Sequence, residues 1–347
     1  MGQRTHVDLE CLGLRAAAQG VVLISLAAYE PAPWIDGLVQ STLSFTESST
    51  LLVLHLTNQS RYTRQELARW NSSRTSVNPV RLFIVKGTGS LLYAHLLNAR
   101  HGMDRWMLNA SSSYFVMMAS NMLWIRPGME LHVRALQCSV GREGWRNPKR
   151  SRMTKMMRVP GKSWSTRITA DFYLNLTCGE RWPKGKHAWS YHEGSFYPLA
   201  TVMRFLGMLE SSLSRPEILG AANFPEEFWL QAYTYNHESE VRTQSWSRQL
   251  CERFDAHNVL STVPIARVEK LAEQLACNPQ VWSGTYTFYA IKRFQRNLSN
   301  EVTQKMLRFS ERWRHAVSGR AGNGLNVLTN ASVNCSRPPP ARQSPGR

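Results

Sequence analysis

Three short stretches of this 347-residue chain carry side chains suited to chemistry. In "FPEEFWLQAYTYN", residues 224–236, Glu226 and Glu227 follow Pro225 and run into a wall of aromatic and aliphatic residues. Adjacent carboxylates can supply a general base, but the helix dipole also favours acids in a first turn, so alone the stretch reads as a helix start. Upstream, "EGSFYPLATVMRFL" (193–206) sets Gly194 and Ser195 on a turn, passes Tyr197 and enters an amphipathic helix. Glycine and hydroxyl there let a polar ligand approach the backbone closely, although alone this is a capped helix start. Downstream, "TFYAIKRFQRN" (287–297) follows aromatics with the cations Lys292 and Arg293, alone a strand or loop end with solvated charges.

Several site classes are missing from the sequence. No GxGxxG follows the first apolar run, and there is no P-loop, GxSxG elbow or HExxH motif. His187, His192 and His237 lie near acids without ligand spacing and read as surface or hydrogen-bonded histidines. No Asp-x-Asp pair occurs, although many sugar-nucleotide transferases hold a divalent metal with one.

The elements that must position these stretches follow from periodicity. Apolar runs at 21–26, 51–56, 81–85 and 114–118 are each short and rich in branched or aromatic types, as buried strands are. Between them, 34–45 and 89–101 repeat apolar residues at helical spacing. Strand and helix alternating in this way predict an α/β fold with a mostly parallel sheet covered by helices on both faces, and ligands at the carboxyl ends of its strands. Residues 166–177 alternate as a strand. Helices are expected from Leu199 to Leu213, over 264–276 and over 299–317, Pro198 standing at the first turn of the first. The organisation expected is an N-terminal extension (1–20), one domain (21–318) and a basic, proline-rich tail (319–347) with the composition of a disordered segment.

Composition bounds the setting. An apolar content of 43% with twelve Trp indicates a folded protein, while the net charge of +18 would hold a polyanion or an anionic membrane face nearby. Much of that charge lies in 141–162, which reads as a solvated basic loop, with a nucleic-acid patch as the alternative. Sequons stand at Asn58, Asn71, Asn109, Asn175, Asn297, Asn330 and Asn334. These seven, against about two or three expected by chance, suggest transit through the secretory pathway. Cys11, Cys138, Cys178, Cys251, Cys277 and Cys335 show no zinc spacing, and a disulfide set is their natural use in that lumen. No segment is apolar enough to span a bilayer; residues 14–29, the nearest candidate, carry Arg15 and Gln19, and Val21 to Leu26 within them reads as a buried strand. A Golgi protein would need an anchor that this chain lacks or that lies upstream of it.

The order of these motifs resembles the core-2/I-branching β-1,6-N-acetylglucosaminyltransferases and peptide O-xylosyltransferases, glycosyltransferase family 14. Gly194, Ser195, Phe196 and Tyr197 look like that family's Gly-Ser-aromatic turn. "PEEFWLQAYTYN" is similar to its Pro-Asp-Glu motif, with Glu226 in place of the Asp, and "FYAIKRF" resembles its Phe-Ala-x-Lys-Phe motif with one residue inserted before Phe294. The N-terminal half matches more loosely. His55 is kept at the second strand without the Asp that follows it in the family, Lys86 replaces a Trp, Ser120 is kept and Pro127 is displaced.

The resemblance implies a GT-A fold and metal-free transfer with inversion, with no metal or other cofactor. It makes Glu227 the general base, with Glu226 supporting the loop or orienting its neighbour. Lys292, or Arg293 if the insertion shifts the register, would offset charge on the departing UDP. Gly194, Ser195 and Tyr197 would line the donor and acceptor cleft, with Trp124 and Trp229 as sugar platforms unless they belong to the core. The partners implied are a UDP-sugar carrying GlcNAc or xylose and a glycan or glycoprotein acceptor, in the Golgi or secretory lumen with membrane association. Two rivals stand: a catalytically inactive glycan- or nucleotide-binding relative, and a basic nucleic-acid-binding protein, against which the sequons and the lack of a known nucleic-acid module argue.

Overall fold

A computed structural model of the chain describes residues 20–85, 88–124, 128–136, 172, 176, 194–221, 225–237, 251–253, 290–292, 304 and 308. These residues form a mixed α/β structure centred on a five-stranded, mostly parallel sheet flanked by helices. Its strands are β1 (Val22–Ala28), β2 (Leu51–Leu56), β3 (Thr75–Val77), β4 (Tyr114–Ala119) and β6 (Phe196–Pro198), in the order β3-β2-β1-β4-β6. The first four are parallel and β6 runs antiparallel to β4. Every residue of β1 and β2 is buried, which is why their sequences are near-continuous apolar runs rather than alternating ones.

Two apolar layers result from the period of two. Val22, Ile24 and Leu26 pack with Trp34, Ile35 and Leu38 of α1 (Ala32–Phe45). Leu23 and Ala27 face a larger core shared by α3 (Gly89–Trp106), α5 (Leu199–Ser212), α6 (Arg215–Gly220) and α7 (Pro225–His237). A short α2 (Arg64–Arg69) starts on a capping box, Thr63 with Glu66. Glu130, buried in α4 (Met129–Leu136), accepts from Glu47 N and Thr50 Oγ1 and fastens the turn between α1 and β2; burial raises its carboxyl pKa. A second sheet joins β5 (Met122–Trp124), β8 (Ala290–Lys292) and β7 (Cys251–Arg253), in the order β5-β8-β7. Among the described residues no helix is long and apolar enough to cross a membrane.

Two expected strands are corrected. Residues 81–85 are not a strand; the third strand is Thr75–Val77, paired with β2 from Leu52↔Thr75 to Leu54↔Val77. Asn78 N is the last amide donated to β2; Val80 N, next in line, donates instead to Asn78 Oδ1 at 3.0 Å, and the chain beyond it keeps Leu82 buried while leaving Phe83 70% exposed. The segment 166–177, expected as a strand, is helical at Phe172 and Leu176. Their i, i+4 spacing puts both into the α3-side core, Phe172 edge-on to Trp229 with ring centroids 4.8 Å apart. Gln304 and Arg308 are helical within the expected 299–317 helix and joined by a 3.0 Å hydrogen bond. The expected helix over 264–276, the basic run 141–162, the tail 319–347 and residues 1–19 of the extension lie outside the described residues.

Candidate functional site

The chain leaves β1 for β2 on one side, while β4 stands on the other, so the strand order reverses between β1 and β4. In open α/β sheets a ligand crevice forms over the carboxyl ends of such a pair. At this edge Glu30, two residues beyond β1, and Ser120, directly after β4, meet: Ser120 Oγ donates to Glu30 Oε1 at 2.5 Å. Tyr29 N donates to Oε2 at 2.9 Å, Tyr62 Oη to the Glu30 carbonyl at 2.7 Å, and Trp34 Nε1 to the Ser120 carbonyl at 2.7 Å. Glu30 is 2% exposed, so its carboxylate is a clamp across the reversal point rather than a group open to solvent. Sequence reasoning did not single it out; the only signal was an acid ending an apolar run.

Removing one donor from a buried carboxylate leaves part of its desolvation cost uncompensated. Ser120→Ala is therefore expected to lower the unfolding free energy by about 2 kcal/mol, measured by urea denaturation at pH 7. A loss indistinguishable from zero would mean that the clamp is not formed.

A polar layer lies beneath this edge, between β1, β2 and α3. Ser25 Oγ hydrogen-bonds His95 Nδ1 at 2.7 Å, Asn98 Nδ2 donates to Ser25 Oγ at 2.9 Å, and Asn78 Nδ2 donates to Asn98 Oδ1 at 3.0 Å. His55 Nε2 donates to the Leu82 carbonyl at 3.2 Å, which ties the irregular segment after β3 over the end of β2. Burial holds His55 below the usual histidine range, and burial together with nearby His55 takes His95 down to about 3. Both are neutral in the folded state at pH 7.

The unfolded chain protonates His95 near 6.5 and the folded chain does not, so the stability present above pH 6.5 is lost as pH falls from 6.5 towards 3. Between pH 7.5 and 5 this amounts to about 2 kcal/mol from His95 alone. Chemical denaturation across that range checks it, and His95→Gln is expected to flatten the slope.

The fold connects two of the sequence motifs to β4 and its end, and starts the third a few residues from the opening of α3. Gly194, at φ 74°, sits in the left-handed region that glycine adopts without strain. Its N–H donates to the Met117 carbonyl at 2.7 Å and Met117 N–H donates to the Ser195 carbonyl at 2.9 Å, so the turn abuts the carboxyl half of β4. Lys292 pairs through its backbone with Met122, two residues beyond Ser120, and Arg293 lies outside the described residues. Glu226 and Glu227 occupy the first turn of α7. That helix begins four residues after Ala221, whose carbonyl accepts from Gly89 N at 2.5 Å. Gly89 opens α3, which runs antiparallel to the strands it connects, so this contact also lies at the carboxyl edge. The intervening chain spans at most about 14 Å.

Some assigned roles change. Ser195 and Tyr197 are fully buried, and Tyr197 belongs to the α3-side core opposite Phe115, so it does not line an open cleft as expected. Trp124 and Trp229 are core residues rather than sugar platforms. Glu226 is 2% exposed, and its carbonyl accepts from Gln231 Nε2 at 3.1 Å. Thr57, two residues after His55, is buried, and its Oγ1 meets no hydrogen-bonding partner among the described residues. No group of three or more metal-ligating side chains occurs among the described residues.

Comparison of the chain with protein-family models and with curated proteins finds no match. The functional reading therefore rests on these motifs and on where the fold puts them.

Proposed function

We propose that this protein is an inverting, metal-independent glycosyltransferase of GT-A type, moving N-acetylglucosamine or xylose from a UDP-sugar to a hydroxyl of a glycan or protein in the secretory lumen. The observation that supports the reading is that the Gly194–Ser195 turn bonds to the carboxyl half of β4, beside the β1–β4 reversal point, and that the Lys292 backbone pairs just beyond β4, while α7 begins four residues after the Gly89–Ala221 contact. There the acceptor oxygen attacks the anomeric carbon from the face opposite the nucleotide. The bond from that carbon to the phosphate oxygen breaks, UDP leaves with the electron pair, and Glu227 takes the hydroxyl proton. Lys292, with Arg293 beside it in sequence, offsets the diphosphate charge that a metal would otherwise balance. Glu226, buried next to the base, holds the first turn of α7 in place.

A screen of UDP-sugars with glycan and peptide acceptors in EDTA tests this. Transfer that persists in EDTA supports the reading, and dependence on added Mn²⁺ sinks the metal-free mechanism. The missing Asp after His55 and Glu226 in place of an Asp favour a second reading, an inactive relative that binds the nucleotide or a glycan. UDP binding by calorimetry with no turnover of any donor would select it.

A further inference from the structure

Three sequons fall among the described residues, and the fold uses their asparagines differently. Asn109, exposed between α3 and β4, accepts at Oδ1 from Ser111 Oγ (2.6 Å) and Ser111 N (3.0 Å), both from the third residue of its own sequon. Asn58, exposed after β2 with φ 56°, accepts at Oδ1 from Ser60 Oγ at 2.5 Å. In both, Nδ2 donates to no group among the described residues. Asn71 is also exposed, but its Nδ2 donates to the Leu67 carbonyl at 2.8 Å, and its Oδ1 accepts from Val77 N at 2.9 Å and Ser76 Oγ at 3.3 Å. Its amide stitches the end of α2 to β3.

From this contrast we infer that Asn58 and Asn109 carry N-linked glycans in the folded protein and that Asn71 does not. The inference rests on the lumenal setting proposed above, but not on the transfer reaction. Attachment forms a bond from Nδ2 to the anomeric carbon of a lipid-pyrophosphate-linked oligosaccharide. The bond from that carbon to the pyrophosphate oxygen breaks, the lipid pyrophosphate leaves with the electron pair, and the amide loses one proton. At Asn58 and Asn109 the amide nitrogen holds nothing in place, and the sequon hydroxyl already engages Oδ1, so a sugar costs the fold no hydrogen bond. At Asn71 the sugar replaces a proton on the nitrogen that binds Leu67 and crowds a side chain tying a helix end to an edge strand. Asn109 lies at the amino edge of the sheet, away from the candidate site. Asn58 follows β2 at the carboxyl edge, where a glycan would flank it.

The full chain, expressed behind a cleavable secretory leader in eukaryotic cells, is treated with peptide N-glycosidase in heavy-oxygen water and mapped by mass spectrometry. The secreted and cell-retained pools are mapped separately. Labelled Asp is expected at 58 and 109 in both pools, with unlabelled Asn71 in the secreted pool. Unmodified Asn109, unmodified Asn58, or Asn71 converted as fully as Asn109 in the secreted pool overturns the inference. If nothing is secreted, the retained pool still decides Asn58 and Asn109. Asn109→Gln is expected to remove one glycan band without lowering Tm, and an unchanged band count overturns the assignment. The leader supplies entry, so failure here leaves the transfer reaction untouched, and an inactive enzyme leaves the glycan map standing.

Discussion

Glu227→Gln is expected to lower kcat/KM for transfer by about 100- to 10,000-fold in EDTA, the range that general acid–base groups supply. Glutamine keeps the shape of the side chain and its place in the first turn of α7, but it has no carboxylate to take the acceptor proton. The KM for the UDP-sugar and the Tm should therefore stay near wild type, which separates a lost base from a damaged fold. Glu226→Gln is the control. Its side chain is buried, so it is expected to change stability more than the pH dependence of the rate. Wild-type turnover by Glu227→Gln together with an inactive, folded Glu226→Gln would exchange the two roles, and turnover by both would remove this helix from the chemistry.

Gly89→Ala carries the largest expected effect on the fold. A methyl group built on Gly89 comes within 1.7 Å of the Ile218 carbonyl oxygen, and that oxygen belongs to the backbone, so no side-chain rotation relieves the contact. The first turn of α3 and the last turn of α6 must separate, breaking the hydrogen bond from Gly89 N to the Ala221 carbonyl. The expected loss is about 3 kcal/mol, the upper end for overpacking, read as a shift of the urea midpoint. Ala221 stands four residues before α7, so any variant protein that folds should also lose transfer activity through displacement of the Glu226–Glu227 turn. Wild-type stability would show that the two helix ends do not meet this closely. For comparison, Gly207, with open space where its Cβ would lie, should accept alanine with little change or a small gain.

Legibility of the fold depended on how local each signal was. β1 and β2 were readable because a strand buried on both faces must be apolar along its length. α5 was readable because its buried residues Leu199, Val202, Leu206 and Leu209 repeat at the helical period. β3 was missed: "TSV" has no apolar run, and it becomes a strand only because β2 offers it a free edge. Residues 81–85 are more strand-like in sequence, yet the diversion of Val80 N to Asn78 Oδ1 and the exposure of Phe83 leave them outside the sheet. Phe172 and Leu176 satisfy the strand period and the helix spacing alike, and contact with Trp229 and its neighbours selects the helix.

The candidate site divides in the same way. Gly194, Ser195, Glu226, Glu227 and Lys292 could be picked out from residue type and order along the chain. Where the fold puts their backbones could not, because it depends on the Met117 ladder, the Met122↔Lys292 pairing and the Gly89–Ala221 contact. Glu30 and Ser120 are separated by 90 positions and become partners only when β1 and β4 lie side by side. By itself the sequence determined the helical and strand periods, the α/β alternation, the sequons and the chemical types available, since all of these are set by near neighbours. Tertiary structure alone decided that Tyr197, Trp124 and Trp229 are core, that Glu30 is a buried clamp and that the amide of Asn71 ties α2 to β3 while that of Asn109 bonds only within its own sequon. Burial and hydrogen-bond partnership are properties of the surfaces that folding brings together, which residue order does not specify one position at a time.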